Sequence, residues 1–304
     1  MRGILLSERV EAARRELEFV RPGAWSAGEP AMTGEGRAIV EYTCDGGRVI
    51  GKLFADVDPA RGGARLSARI GGDETFQRQE WLAGLGTPTL RVPRAVVWCA
   101  VPRVLVTEAA SGRACRTIPA CEWPDVMPRI GRALRELHEQ PLWPGLELRL
   151  RDHMNDLIRP APAEIAKAFP QHADIVNRTL ERLRAADEGW GELPMTWLHR
   201  DFHMRQLFDD GEHVTVIDWD DLAFGDAAFD VGYFTAYLKT HHAASDAETG
   251  IAAFRSGYGG DDALWSRVPD YERFNFLRRA CRRLRLRDQG WEHELAAKMA
   301  RLDD

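Results

Sequence analysis

The sequence predicts an α+β protein with a strand-rich first part and a mainly helical second part. Before residue 108, short apolar segments of alternating polarity flank Gly-rich turns, as expected for strands. After it, long segments with helical periodicity dominate, and one strand-rich insertion at residues 196–220 interrupts them. The change of pattern near Thr107–Gly112 predicts two domains, 1–108 and 109–304.

The first part contains two predicted helices and four predicted strands. Each helix has a candidate N-cap, Ser7 for the first and Asp73 for the second. The turn Asp45-Gly46-Gly47 separates the first two strands and is typical of a β-hairpin. Lys52 lies on the second of these strands. In chain order the segments are the helix 7–19, the strands 38–44 and 48–55, the helix 74–85, and the strands 94–100 and 103–110.

Composition and charge exclude several classes of protein. The 304-residue chain is 44% hydrophobic and 29% charged, which is ordinary for a soluble globular protein. Its formal net charge of −6 argues against a general nucleic-acid-binding protein, and no apolar run is long enough for a membrane span. The five cysteines form no CxxC pair, which indicates free thiols. Because the apolar run Ile4-Leu5-Leu6 is too short for a signal peptide, we expect a cytoplasmic protein.

A polar cluster at residues 199–206 precedes a second predicted hairpin, whose turn is Asp210-Gly211. Asp201 lies before the outgoing strand, and Asp218 ends the returning strand. Because the two ends of a tight hairpin lie close together, these carboxylates can converge on one point. One can then act as a base while the other holds a cation. Phosphoryl transfer needs both functions, an oriented nucleophile and a phosphate whose charge a metal neutralises.

These residues resemble the catalytic region of the aminoglycoside phosphotransferase and choline kinase-like family, which belongs to the protein-kinase-like superfamily. The family pattern H-G-D-x-x-x-x-N is met by His199-Arg200-Asp201 and Gln206, with Arg for Gly, as in protein kinases, and Gln for Asn. Val216-Ile217-Asp218-Trp219 matches the metal-binding strand. Gly225-Asp226 and Asp230 match the end of the motif; both aspartates are also candidate helix N-caps, and a loop-ordering role is favoured for Asp230.

The resemblance extends upstream of the catalytic motif. Residues 129–139 resemble the helix ending in Leu-His that precedes the catalytic loop in this family. Lys52 has the place of the phosphate-binding lysine, and Glu80, with Glu74 as the alternative, that of its ion-pair partner. Val104–Glu108 resembles the hinge where backbone groups meet the adenine. Altogether the resemblance covers roughly residues 38–235.

The resemblance implies a protein-kinase-like two-lobed fold, with an antiparallel sheet and a helix in the N-lobe and a mainly helical C-lobe. It also implies ATP and Mg²⁺ as cofactors, with ATP between the lobes. Asp201 would accept the proton of a substrate hydroxyl, or orient it, for attack on the γ-phosphate. The implied site residues are Asp201 and His199 for catalysis, Lys52, Glu80 and Glu108 for the nucleotide, and Gln206 and Asp218 for the metal.

The expected acceptor is a small hydroxylated molecule: an aminoglycoside or other antibiotic, a sugar, an amino alcohol or a biosynthetic intermediate. Three carboxylates near the motif, Asp220, Asp221 and Asp226, would favour a cationic acceptor unless they are merely solvated. The arginine-rich run 278–287 is expected to be a solvated helix face, with Phe274, Leu277, Cys281 and Leu284 turned inward. Its alternative role is to bind a phosphorylated or acidic substrate.

Three other functions fit part of the pattern. A kinase of peptide Ser or Thr in a natural-product pathway differs only in its acceptor. A nucleotide-binding pseudokinase is suggested by Gln206 and by Gly34-Glu35-Gly36, which supplies only part of a glycine-rich phosphate loop. A metal-dependent hydrolase would use His199, Asp201 and His203 as a transition-metal cluster. That hydrolase would have no use for the lysine strand or the hinge.

Overall fold

The structure is a computed structural model and describes residues 5–34, 37–54, 72–141 and 147–302. Within them the chain has ten α-helices and thirteen strands, so the predicted α+β class is confirmed. The helices are α1 (Leu6–Val20), α2 (Gly72–Ala83), α3 (Trp123–His138), α4 (Leu150–Leu157), α5 (Pro162–Ala168), α6 (Ala173–Gly189), α7 (Ala228–His241), α8 (Ala244–Tyr258), α9 (Asp262–Leu286) and α10 (Trp291–Ala300). The strands are β1 (Ser26–Ala27), β2 (Ala31–Gly34), β3 (Arg37–Cys44), β4 (Gly47–Leu53), β5 (Leu90–Arg91), β6 (Ala95–Cys99), β7 (Val104–Glu108), β8 (Arg113–Ala114), β9 (Glu147–Leu148), β10 (Met195–Leu198), β11 (Leu207–Asp209), β12 (Val214–Val216) and β13 (Ala223–Asp226).

The chain divides into two compact units. Unit 1 comprises Met1–Arg113 and Phe208–Asp220, and unit 2 comprises Ala114–Leu207 and Asp221–Asp304. The sequence assigns the hairpin β11–β12 to the second domain, whereas in the structure most of it belongs to unit 1. The reason is that β12 pairs in parallel with β5, with Val214 opposite Leu90.

The main sheet of unit 1 has the strand order β1-β3-β4-β7-β6, and β2 pairs with β3. The predicted hairpin at Asp45-Gly46-Gly47 joins β3 to β4. Lys52 lies opposite Ile39 on one side and Leu105 on the other, so its strand is central in the sheet. A central strand is held along both edges, which fixes the position from which the Lys52 side chain starts.

Helix α1 packs against this sheet in the core of unit 1. Its buried residues are Val10, Ala13 and Leu17, the apolar positions that helical spacing predicts. The buried Tyr42 hydroxyl of β3 donates to the backbone oxygen of Val10 at 3.0 Å. The predicted Ser7 cap is wrong, because the helix already begins at Leu6.

The second sheet has the order β5-β12-β11-β8 and contains the predicted Asp210-Gly211 hairpin. The Asp210 carboxylate closes this turn by accepting the backbone N–H groups of Glu212 at 3.0 Å and His213 at 2.6 Å. At the entrance to β8, Gly112 has φ +90° and lies so close to the hairpin that a Cβ atom there would meet the Asp209 backbone at 2.6 Å. Only glycine combines this φ with so close an approach.

Unit 2 is built around α7, whose residues Ala228–Leu238 are all buried. Long α9 packs on α7, and α3 packs on α8. A three-stranded sheet, β10-β13-β9, places the end of β10 beside β13, which leads directly into α7. The loop that follows Leu198 is hydrogen-bonded to the first turn of α7 through the Asp230 carboxylate.

The C-terminal arginine-rich run lies within α9, which ends where Arg287 adopts φ +48°. The residues predicted to face inward are buried, namely Phe274, Leu277, Cys281 and Leu284. All five cysteines are free thiols. Within the described residues, no helix is both long and apolar enough to cross a membrane.

Candidate active site

Lys52 of β4 forms an ion-pair cluster with two aspartates that follow the β12 strand. Its ammonium group pairs with the Asp218 carboxylate and lies 2.6 Å from Oδ2 of Asp220. Arg37 approaches the same Asp220 oxygen at 3.7 Å. Burial by itself would lower the pKa of Lys52, but the two carboxylates outweigh it and raise that pKa. Lys52 is therefore a fixed positive charge at neutral pH.

Asp220 is the more buried carboxylate of this cluster. Burial raises its pKa, and the neighbouring charge of Asp218 raises it further, while Lys52 partly offsets both effects. Asp220 therefore depends on the lysine to stay ionised. Asp218 is different because its side chain is 33% exposed. It lies two residues beyond the end of β12, where the sequence predicts the strand end itself.

The backbone of Asp218 has φ +70°, a left-handed conformation that costs a non-glycine residue of the order of 1 kcal/mol. Such conformations persist where the surrounding structure holds them, and they concentrate at functional sites. Here the turn directs an accessible carboxylate next to the Lys52 ammonium group. Carboxylate oxygens are the ligands that Mg²⁺ prefers, so the chemistry of Asp218 fits a metal ligand.

Glu80 is not brought to Lys52, contrary to the expected ion pair. Its Oε1 accepts the backbone N–H of Ala95 at 2.8 Å and so supports the start of β6. The alternative partner Glu74 pairs with Arg78 at 2.5 Å on the same helix. In this structure Lys52 forms its ion pairs with Asp218 and Asp220 instead.

Glu108 is the last residue of β7, at the predicted hinge. Its backbone N–H donates to the oxygen of Arg94 at 2.9 Å, and its exposed carboxylate accepts from Arg21 at 2.8 Å. The hinge prediction assigns adenine binding to backbone groups of β7 and not to the Glu108 carboxylate. Of the partial glycine loop, Glu35 and Gly36 lie outside the described residues.

Asp201 forms a second cluster, within unit 2. The Tyr233 hydroxyl donates to its Oδ1, and the Gln206 amide donates to its Oδ2 at 3.2 Å. His203 places its Nε2 3.6 Å from Oδ2, while its Nδ1 accepts the backbone N–H of Arg205. A neutral His203 with this Nδ1 contact carries its proton on Nε2, toward Asp201.

The charge state of this cluster follows from its burial and neighbours. Burial raises the pKa of Asp201, but His203, Arg278 and the Tyr233 hydrogen bond outweigh it and lower that pKa below the usual value. Burial lowers the pKa of His203 to about 4, despite the attraction of Asp201. At neutral pH the cluster therefore has an ionised Asp201 beside a neutral His203.

The loop that carries Asp201 is held by Asp230 in the first turn of α7. The Asp230 carboxylate accepts the backbone N–H of His199 at 2.7 Å and that of Arg200 at 2.8 Å. The fully buried His199 in turn accepts the N–H of Asp201 at its Nδ1, at 3.3 Å. Asp230 thus orders the loop, as predicted, and His199 is an internal support rather than an exposed acid or base.

Arg200 occupies the position where the family pattern has glycine. Its backbone has φ +64°, the left-handed region that glycine adopts at little cost. The side chain is 1% exposed and donates to Asp156 of α4 at 2.5 Å. Arginine is tolerated because Asp230 holds its backbone and Asp156 balances its charge.

Asp226 is also neutralised inside unit 2. Both of its carboxylate oxygens accept from Arg267, at 2.7 and 2.8 Å, and Oδ1 also accepts the Ala228 N–H at the start of α7. With Asp220 paired to Lys52, two of the three carboxylates that suggested a cationic acceptor are already balanced. The expectation of a cationic acceptor loses most of its basis.

Sequence reasoning missed several contributors to these clusters. Asp220 was named only as a possible acceptor-side carboxylate, although its place two residues after Asp218 in an acidic run could have suggested the pair with Lys52. Tyr233 had a weaker signal, because it follows Asp230 by three residues and so lies on the same face of the helix. Asp156 had none, since it is 44 residues away from Arg200 in the chain.

The residues of the alternative hydrolase do not form a preformed metal cluster. Within the part of the chain that the structure describes, no three His, Cys, Asp or Glu side chains are grouped to hold a metal ion. His199 is engaged by the catalytic loop itself, and His203 by Arg205 and Asp201.

Two solved structures are similar to the chain over nearly its full length. A choline/ethanolamine kinase family protein from Mesorhizobium loti is 17% identical, with a TM-score of 0.67 over 97% of this chain and 94% of that one. Aminoglycoside phosphotransferase APH(4)-Ia is 16% identical, with a TM-score of 0.66 over 96% and 97%. At these identities the likeness shows the fold, so the predicted protein-kinase-like fold is confirmed.

A thermostable mutant of APH(4)-Ia, in ternary complex with AMP-PNP and hygromycin B, is 16% identical with a TM-score of 0.67 over 96% of each chain. A comparison with curated proteins found no match. The family model described as "Phosphotransferase enzyme family" matches residues 59–277, which include Asp201, Asp218 and Asp220 but not Lys52. The chain therefore belongs to this phosphotransferase family and is a kinase that acts on hydroxyl acceptors.

Proposed function

We propose that the protein transfers the γ-phosphate of ATP to a hydroxyl group of a small molecule, with Asp201 as the catalytic base. The observation that carries this proposal is the state of Asp201. It is an ionised carboxylate on an ordered loop, and neutral donors hold both of its oxygens in a fixed orientation. An acceptor hydroxyl hydrogen-bonded to such a group is oriented for attack and has a base for its proton.

The two oxygens of Asp201 have different neighbours. Oδ1 accepts from the Tyr233 hydroxyl, whereas Oδ2 accepts from the Gln206 amide at 3.2 Å and lies 3.6 Å from Nε2 of His203. The proton of the acceptor hydroxyl would go to this carboxylate. His199 and Asp230 act through the backbone and keep the carboxylate in place.

Lys52 would bind the phosphates of ATP, because it is a partly exposed ammonium group kept charged by Asp218 and Asp220. The β7 strand up to Glu108 would supply backbone groups for the adenine. Glu80 would contribute indirectly, through its bond to Ala95. The AMP-PNP complex of a structurally similar enzyme supports ATP as the nucleotide.

Asp218 would hold Mg²⁺, since it is an accessible carboxylate on a constrained backbone. Gln206 is proposed as the second ligand from its motif position, with the amide NH₂ directed to Asp201. When bound, Mg²⁺ would offset the negative charge of the transferring phosphate. The protein would work in the cytoplasm, where its five free thiols stay reduced.

The test is ADP release from Mg-ATP, with wild type beside Asp201→Asn. The acceptor panel contains aminoglycosides, peptide antibiotics, sugars, amino alcohols, hydroxy acids and Ser-containing peptides. We expect substrate-dependent ADP release that falls by about 10³-fold or more in the variant, because general-base catalysis and orientation are both lost. ATP affinity should stay within about twofold, since Asp201 is not assigned to the nucleotide.

Asp262→Asn is the matched control, because Asp262 is a fully exposed aspartate at the start of α9. It should behave as wild type. A loss of less than tenfold in Asp201→Asn would refute Asp201 as the base, and ATP binding without turnover of any acceptor would favour the pseudokinase.

A further inference from the structure

Two consecutive arginines of α9, Arg278 and Arg279, lie against the aromatic ring that holds the base. The guanidinium carbons are 5.2 and 5.6 Å from the centre of the Tyr233 ring, whose hydroxyl donates to Asp201. Arg279 also lies 5.5 Å from the Tyr237 ring. This face of α9 is therefore part of the surroundings of Asp201, not a purely solvated surface.

Neither of these two arginines forms a close ion pair with a carboxylate of the described residues, although the charges of Asp201 and Asp221 raise the pKa of Arg278 from a greater distance. Among the described residues, neither guanidinium lies within 4 Å of an Asp or Glu oxygen. Other arginines of α9 differ in this respect: Arg267 pairs with Asp226, Arg273 with Asp270, and Arg283 with Asp288. The buried Nη1 of Arg278 has no hydrogen-bond partner within the described structure.

Aromatic rings form the rest of this surface. His203 stacks on Tyr237 at 5.0 Å, and Nη1 of Arg279 bonds to Nε2 of His241 at 3.0 Å. The positive charges act on their neighbours: burial, together with Arg279 and other cations, lowers the pKa of His241 to about 3. Aromatic faces stabilise a cation only partly, so the guanidinium of Arg279 can still pair with an anion.

We propose that the acceptor carries an anionic group, a carboxylate or a phosphate, which binds to Arg279 and Arg278 while its hydroxyl lies at Asp201. This inference rests on the proposed function and specifies its acceptor class. A cationic acceptor would meet the repulsion of two guanidiniums at this surface. An anionic group would supply the missing carboxylate or phosphate partner, in the fork geometry for which arginine is suited.

The two arginines would have different roles, Arg278 near the base and Arg279 in acceptor binding. Arg278 acts more directly on the base, because its charge lowers the pKa of Asp201 and its guanidinium lies against the Tyr233 ring. Arg279 reaches further along the aromatic surface, to Tyr237 and His241. Arg279 is therefore the residue to test for acceptor binding, since its change leaves the immediate surroundings of Asp201 intact.

Binding can be measured by calorimetry in the presence of Mg-AMP-PNP, with compounds of matched size. D-glycerate and gluconate are hydroxylated anions, glycerol and sorbitol are their neutral counterparts, and ethanolamine, choline and hygromycin B are hydroxylated cations. We expect wild type to bind the hydroxy acids at least tenfold more tightly than the neutral polyols. Arg279→Gln should weaken hydroxy-acid binding by about tenfold or more, the loss of one charge-assisted pair.

Two variants separate a specific contact from a change in overall charge. Arg279→Lys keeps the charge but loses the fork, so it should retain part of the affinity. Arg285→Gln removes the same charge from an exposed position on the same helix, and should leave hydroxy-acid binding within twofold of wild type. AMP-PNP affinity should be equal in all four proteins.

The proposal is overturned if the cations bind more tightly than the hydroxy acids, if no hydroxy acid binds, or if Arg279→Gln binds them like wild type. It is also overturned if Arg279→Gln loses AMP-PNP rather than hydroxy-acid affinity, since the arginines would then serve the nucleotide. These results are distinct from failure of the proposed function, which is read from Asp201→Asn turnover with the full acceptor panel.

Discussion

Around Lys52 the charged side chains balance one another, whereas around Asp201 the carboxylate is held by neutral groups and lies near two arginines that form no ion pair among the described residues. In the first cluster the ammonium group pairs with Asp218 and Asp220. In the second, the direct donors to Asp201 are the hydroxyl of Tyr233 and the amide of Gln206. Arg278 and Arg279 stand behind them with no carboxylate within 4 Å among the described residues.

The difference shows which cluster is complete in the protein alone. In the Lys52 cluster the charges already pair with one another. A bound nucleotide and metal would therefore replace existing partners, with the phosphates pairing to Lys52 and the metal to Asp218. Beside Asp201, Arg278 and Arg279 have no carboxylate within 4 Å among the described residues, so an anionic ligand there would add a partner that the fold does not supply. Removal of a charged side chain from the first cluster should therefore disturb nucleotide binding directly. In the second cluster, it should act by weakening the loop that carries Asp201 or by weakening acceptor binding.

After the loss expected for Asp201→Asn, the largest effect is expected for Lys52→Met, which removes the cation of the first cluster. The variant leaves Asp218 and Asp220 facing each other without their cation and removes the phosphate contact. We expect kcat/KM for ATP to fall by about 10²-fold or more, equivalent to about 3 kcal/mol or more of transition-state binding. The measurement is ADP release at varied Mg-ATP.

Lys167→Met is the control for this change, because Lys167 is exposed on α5. Wild-type behaviour of Lys52→Met would show that the cluster only stabilises the fold. Its unfolding midpoint in urea should be measured in parallel, so that a loss of structure is not taken for a loss of phosphate binding.

Next in size is Asp156→Asn, which tests the support beneath the second cluster. The pair with Arg200 is almost fully buried, and removal of one partner leaves a buried charge, so we expect a loss of about 3 kcal/mol of unfolding free energy. Urea unfolding followed by circular dichroism measures it. Adding Arg200→Gly should recover part of the loss, because glycine removes the orphaned charge and suits φ +64°. No recovery in the double variant would contradict this account of Arg200.

A smaller effect on the unfolding free energy is expected from the titration of His203. This side chain is neutral at pH 7, so it adds no positive charge to the second cluster. Its pKa falls from the ordinary 6.5 to about 4 in the folded protein. Between these values the unfolded chain binds a proton that the folded chain does not, so stability decreases as pH falls through this window. Above pH 7 the effect vanishes, and below about pH 4 it is complete.

Urea unfolding at pH 7.0 and 4.5 measures this contribution. The decrease in unfolding free energy should be smaller in His203→Gln than in wild type, by of the order of 2 kcal/mol. His293→Gln is the control, because His293 lies outside both carboxylate clusters. Equal decreases in wild type and His203→Gln would mean that His203 titrates normally.

Much of the fold could be predicted from local patterns. Helix α1, the hairpin at Asp45-Gly46-Gly47 and the buried face of α9 follow from hydrophobic spacing and turn residues, which act within a few positions of the chain. The assignment of β11–β12 to unit 1 does not follow, because it depends on parallel pairing with β5, more than a hundred residues earlier. Such pairings leave no local signal.

The sequence by itself determined the family, the α+β class and the motif positions of Asp201, Gln206 and Asp218, because these depend on residue types at fixed short spacings. The partners of those residues depend on long-range packing. Lys52 pairs with Asp218 across 166 positions rather than with Glu80, and Tyr233 holds Asp201 across 32. The physical reason is that a charged or polar side chain takes the nearest partner that the packed chain brings to it, and packing is a property of the whole fold.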